Sequence, residues 1–149
     1  MGHYQKINPT ARERGQGIVP GNVFPFFEWR GRRFAVLICN DILEGTEPFP
    51  RARFHFGLFD ELRRLQLDVI FIPLISPYRR TDTSTTKEGR DEAFQEMARQ
   101  TGTFIVKVSG VGKLQGEKTV GRSLVVSKEG EILLRPKGEN QEEILLGTF

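Results

Sequence analysis

The chain of 149 residues is 38% hydrophobic and 28% charged, which excludes a disordered polymer and fits one globular domain over residues 1–149. No apolar run reaches membrane-spanning length, Met1-Gly2-His3-Tyr4 lacks a signal-peptide shape, and a single cysteine excludes an internal disulfide framework, so a cytoplasmic protein is expected. The net charge of +3 comes with arginine pairs (Arg32-Arg33, Arg63-Arg64, Arg79-Arg80), but acidic residues are scattered among them, which reads as a solvated surface rather than a nucleic-acid face.

Gly2 to Ile7 resembles the end of a strand, and Asn8-Pro9-Thr10 turns the chain because proline lacks a ladder donor. The charged, glycine-rich Ala11 to Asn22 reads as a loop. Val23 to Trp29 and Arg32 to Cys39 are strand-like around Arg30-Gly31, which predicts a β-hairpin. The run Phe34 to Ile38 is continuously apolar, as expected of a strand buried on both faces. Cys39 follows it at once, where the crevice beyond the strand ends would lie.

Ile42 to Phe56, with Gly45, Pro48 and Pro50, has no regular pattern. Leu58, Phe59, Leu62 and Leu65 recur at helical spacing, with acids early and Arg63-Arg64 late, as the helix dipole favours. Asp68 to Leu74 reads as a second fully buried strand and Ser76 to Thr86 as a polar loop over the same crevice. Thr86 to Gln100 predicts a helix ended by Gly102. Phe104 to Val108 is a strand, glycines 110, 112 and 116 mark a loop, and Ser123 to Val126 pairs back with Glu131 to Leu134 across Lys128-Glu129-Gly130. A last apolar run, Ile144 to Leu146, lies near the terminus. The order predicts a mixed α/β domain.

On residue chemistry alone, Cys39 has two readings: a buried small hydrophobe, or a nucleophile at a strand end. His3 and His55 are the available partners for a Cys–His pair, with nothing around them that favours it. No ligand spacing points to a metal, and Gly110-Val111-Gly112-Lys113 lacks the spacing of a phosphate loop.

The order of landmarks resembles the nitrilase superfamily of carbon–nitrogen hydrolases. Tyr4-Gln5-Lys6-Ile7, Glu13, Phe24-Pro25-Phe26 and Leu37-Ile38-Cys39-Asn40-Asp41 carry the first part of the resemblance. Leu67 to Pro73, Met97 to Thr101 and Gly121 to Leu133, the last ending in a Gly130-Glu131-Ile132-Leu133 hairpin, carry the rest. The resemblance implies a partial αββα sandwich, a mixed sheet with helices on one face, and no metal or organic cofactor. It implies Cys39 as nucleophile, Lys6 as the cation at the developing oxyanion, and Glu13 as the carboxylate supporting that lysine. With Cys39 in that role, the backbone N–H just past it, that of Asn40, can join Lys6 as an oxyanion donor.

The same resemblance implies hydrolysis of a small amide, carbamoyl compound or nitrile through a cysteine thioester. The family's general-base glutamate lies well before the lysine, so the N-terminal half of the fold is expected to be absent and the chain nearly inactive alone. Cover for the open sheet is then expected from the missing segment or from a homo-oligomer. Further departures are the long Ile42–Phe56 segment, Gln100-Thr101 in place of Glu-Asn, and Ser109 in place of Asn. The competing expectations are a non-catalytic interaction or regulatory module that keeps the fold, and an anion binder using the arginine pairs.

Overall fold

Arg30 and Gly31 both sit at positive φ, 51° and 73°. A two-residue turn with both central residues in that region matches the twist of the strands it joins. It pairs β1 (Phe26–Trp29) antiparallel to β2 (Arg32–Val36), with Trp29 opposite Arg32. The structure, a computed structural model, describes residues 5–24, 26–42, 56–75, 87–114, 116–119, 121–138 and 141–148. His3, the loop 76–86, and residues 43–55 of the Ile42–Phe56 segment, which include His55, lie outside the described residues.

β2 runs parallel to β3 (Val69–Leu74), and β3 parallel to β4 (Phe104–Ser109). Parallel neighbours need long crossovers. These contain α2 (Phe56–Arg64) and α3 (Lys87–Thr101). After β4 come a small antiparallel pair, β5 (Gly112–Leu114) and β6 (Glu117–Thr119), then β7 (Leu124–Val126) and β8 (Ile132–Leu134). The resulting mixed sheet has the strand order β1-β2-β3-β4-β7-β8.

Both crossover helices contribute to one core. Leu58, Phe59 and Leu62 of α2 and Phe94, Met97 and Ala98 of α3 form a single cluster with Ala35, Ile70, Ile72, Ile105, Leu124 and Val126 of the strands. Their spacing follows the helical period on one side and the strand period of two on the other. Gly102, at φ 66°, ends α3 by donating to the Ala98 carbonyl at 2.8 Å. Lys107 is buried on the core face of β4, its ammonium 4.9 Å from the centre of the Phe94 ring.

The opposite face departs from the reading of the apolar runs alone and fits the sheet with helices on one face that the resemblance implies. β2 and β3 read as buried on both sides, yet Phe71 is 37% exposed between the fully buried Ile70 and Ile72, and Val108 of β4 is 54% exposed. Phe27, Phe34 and Phe71 run across this face, with ring centres 5.4 and 5.9 Å apart. At the edge, β1 presents Phe26 and Trp29, each covered by a guanidinium, Arg33 at 4.3 Å and Arg30 at 4.6 Å.

Four local readings are corrected. The segment read as a loop from Ala11 contains α1 (Ala11–Gly15), because Thr10 and Glu13 form a capping box. The glycine-rich stretch after β4 is the β5–β6 hairpin. β2 ends at Val36 rather than at Cys39, and Cys39–Ile42 is a 3-10 turn. Residues 5–7 are not in a strand, and Ile144 and Leu146 are exposed. No helix among the described residues is long and apolar enough to cross a membrane.

The β7–β8 turn shows how tightly α3 is seated. Ser127 Oγ accepts from the Glu129 and Glu131 N–H groups, and Gln95 Nε2 donates to the Gly130 carbonyl at 2.7 Å. Gly130 is at φ 86°, and a Cβ there would run into Arg99 Nη1 and lie 3.1 Å from the Gln95 carbonyl oxygen. Gly130→Ala is therefore expected to lower stability by about 1–2 kcal/mol from the backbone alone. Gly138→Ala, with ordinary contacts and no positive φ, should stay within about 0.5 kcal/mol of the parent. Urea unfolding midpoints of the two variants check this.

Candidate active site

The site is built at the carboxyl end of β2. The Leu37 N–H still donates to the Phe71 carbonyl at 2.9 Å. Two residues later the backbone turns sharply: Cys39 has φ 52°, in the left-handed region that non-glycine residues seldom enter. Such strained positions cluster at active sites, where surrounding bonds hold them. Cys39 is a free thiol, half-buried, at the first position of the 3-10 turn.

The surrounding bonds centre on Asp41, which is 2% exposed. Its Oδ2 accepts from the Ile38 N–H at 2.8 Å. Its Oδ1 accepts from the Ile7 N–H at 3.0 Å and the Asn8 N–H at 2.7 Å. Beside it, Asn8 Nδ2 donates to the Asn40 carbonyl at 3.2 Å, and Asn40 Nδ2 donates to the Asn8 carbonyl at 3.1 Å. One carboxylate and one reciprocal amide pair thus join residues 7–8 to the turn that carries Cys39.

Lys6 immediately precedes this junction. Its carbonyl accepts from the Gly21 N–H at 2.8 Å, and the approach is so close that a Cβ on Gly21 would stand 2.6 Å from the Gln5 carbonyl oxygen. The Lys6 side chain is 12% exposed, and its Nζ lies 2.8 Å from both Oε1 and Oε2 of Glu13. Glu13 also caps its own short helix: the Thr10 N–H donates to Oε2 at 2.6 Å, while the Glu13 N–H donates to Thr10 Oγ1 at 3.3 Å. Burial pushes the Glu13 carboxyl up, but the hydrogen bonds from Lys6 and then from Thr10 outweigh it and hold it below the ordinary glutamate range.

The structure therefore brings Lys6 and Glu13 into direct contact and joins the Lys6 segment to the Cys39 segment through Asp41. Asn40 is buried, its side chain turned to Asn8. Asp41, Asn8 and Thr10 were not singled out from the sequence. Thr10-x-x-Glu13 fits a capping box, a readable signal, whereas Asp41 meets partners 33 and 34 residues away. Chemically, the ensemble offers a thiol on a strained turn and an ammonium fixed by a carboxylate. Among the described residues, no group of three or more His, Cys, Asp or Glu side chains is arranged to hold a metal ion.

No family model matches the sequence. No curated protein matches it either. Solved structures do match the fold. The glutamine-dependent NAD+ synthetase of Acinetobacter baumannii superposes with a TM-score of 0.68 at 25% identity, over 87% of this chain and 22% of that one. A glutamate-to-glutamine variant of the Nesterenkonia sp. AN1 amidase carries the acetamide moiety of fluoroacetamide on its active-site cysteine. It superposes with a TM-score of 0.70 at 20% identity, over 94% of this chain and 47% of that one. A cysteine-to-alanine variant of the same amidase, from the nitrilase superfamily, gives 0.67 at 19% identity with the same coverage, 94% and 47%. The chain spans about half the length of these amidase chains.

The lowered Glu13 carboxyl fixes the sign of a pH effect. A carboxyl depressed on folding adds stability at neutral pH that is lost as pH falls from about 4.3, the ordinary glutamate value, through its lowered folded value. Glu13→Gln is expected to be less stable than the parent at pH 7 and to converge with it as Glu13 protonates. Urea midpoints measured from pH 7 to pH 3 check this.

Proposed function

We propose that this chain, which has the nitrilase-type carbon–nitrogen hydrolase fold, acts on the C–N bond of a small amide through Cys39. One observation carries the reading: the Asp41 carboxylate joins the residues that follow Lys6 to the strained turn at Cys39. The Cys39 thiolate attacks the amide carbonyl carbon. The carbonyl electron pair moves onto oxygen, where the Lys6 ammonium and the Asn40 N–H receive it. Collapse of the tetrahedral intermediate breaks the C–N bond, the nitrogen leaves as ammonia or an amine with a proton taken from water, and a thioester remains on sulfur. Water then releases the carboxylic acid and restores the thiol.

Glu13 serves this scheme by holding Lys6, not by moving the proton. We assign no carboxylate of this chain as the general base, and without one turnover by the chain alone falls by about 10²–10⁴-fold. The amidase relative's reaction with fluoroacetamide supports a small amide-sized acyl group for this chain too.

A second reading, a non-catalytic interaction module that keeps the fold, is favoured by the exposed Phe71 and Val108 on the sheet face opposite the helical core. The two readings diverge at the thiol. Under the hydrolase reading, fluoroacetamide labels Cys39 faster in the folded chain than in urea, and the adduct disappears in Cys39→Ala, as followed by intact-mass spectrometry. Slow ammonia release from acetamide should vanish in the same variant. Labelling slower than in urea, or ammonia release untouched by the substitution, favours the interaction module.

A further inference from the structure

We infer that Asp41 is a positioning residue that sets the distance between the Lys6 ammonium and the Cys39 thiol; this rests on the hydrolase reading above. Lysine has a long, flexible side chain, so the place of its charge depends on where both ends are fixed. The head is fixed by Glu13, at 2.8 Å to both carboxylate oxygens. The backbone is fixed on one side by Gly21 and on the other by Asp41, through the two N–H groups that follow Lys6.

The 3-10 turn is closed by the Asp41 N–H donating to the Ile38 carbonyl at 3.1 Å, and the bond from the Ile38 N–H to Oδ2 lies within that same turn. The second oxygen is committed to residues 33 and 34 positions earlier in the chain. Asp41 therefore couples two segments rather than capping one. A carboxylate is the side chain suited to this, because both oxygens accept and all three partners donate. In an asparagine, one oxygen would keep its donors while the NH2 group would face the remaining N–H.

The readout is the charge felt at sulfur. In the full chain, the Cys39 thiolate displaces iodide from anionic iodoacetate or from neutral iodoacetamide to form a thioether. The ratio of the two rates reports positive charge beside the sulfur and cancels accessibility and thiolate fraction. We expect the ratio to fall about threefold in Lys6→Ala, the effect of one unit charge at about 6 Å in water. Asp41→Asn itself removes a negative charge near the sulfur, so its role is read as coupling: in the Asp41→Asn background, Lys6→Ala should change the ratio by much less than threefold, and the differences should shrink in 1 M salt.

A threefold fall on Lys6→Ala that persists undiminished in the Asp41→Asn background overturns the positioning role, whatever Asp41→Asn does to stability. An unchanged ratio in Lys6→Ala overturns it together with the Lys6 role in the hydrolase reading. Loss of fluoroacetamide activation with the ratio pattern intact defeats only the hydrolase reading. Should Asp41→Asn fail to fold, Asn8→Ala, which removes one bond of the reciprocal amide pair, should lower the ratio by a smaller factor, and no change there overturns the role.

Discussion

A buried carboxylate that accepts backbone N–H groups from two distant segments is the constraint on which the site depends. Without Asp41, the Ile7, Asn8 and Ile38 donors would be stranded where water is scarce, each at the cost of an unmade hydrogen bond. With it, the N-terminal segment has a defined seat beside the strand end. The Asn8–Asn40 pair repeats the connection with neutral groups. The strained φ at Cys39 is tolerable because the residue before it and the two after it are bonded in place.

The sheet was legible because its strands are apolar runs of the right length between turn residues. Arg30-Gly31 marked the first hairpin, the 58–65 and 86–100 periodicities marked both helices, and Lys128-Glu129-Gly130 marked the last turn. Short elements were harder to read. α1 has no apolar face, so hydrophobic periodicity could not reveal it; its evidence is the Thr10/Glu13 cap. The β5–β6 hairpin is three residues a side and glycine-bounded, which resembles a loop in any window. Lys6 and Glu13 came only from the resemblance, since a lysine and a glutamate seven positions apart carry no local signal of an ion pair. Asp41 was harder still, because its meaning lies in long-range partners.

Composition misled on one point for a physical reason. β2 and β3 are apolar at both strand parities, as in a sheet covered on both sides, yet among the described residues helices pack on one face only. An apolar sheet face exposed to water favours whatever can layer upon it. The aromatic row from Phe27 through Phe34 to Phe71 makes the open face here self-adhesive along its own length.

The edge strand shows how such a face stays tractable. Phe26 and Trp29 on β1 are wide rings on a strand that is the edge of the sheet among the described residues, a template for stacking chain upon chain. Arg33 and Arg30 sit over those rings. Any molecule adding itself in register would have to bury guanidinium groups or bring like charges together, so fibril growth from this side meets an electrostatic toll that the hydrophobic gain must first overcome.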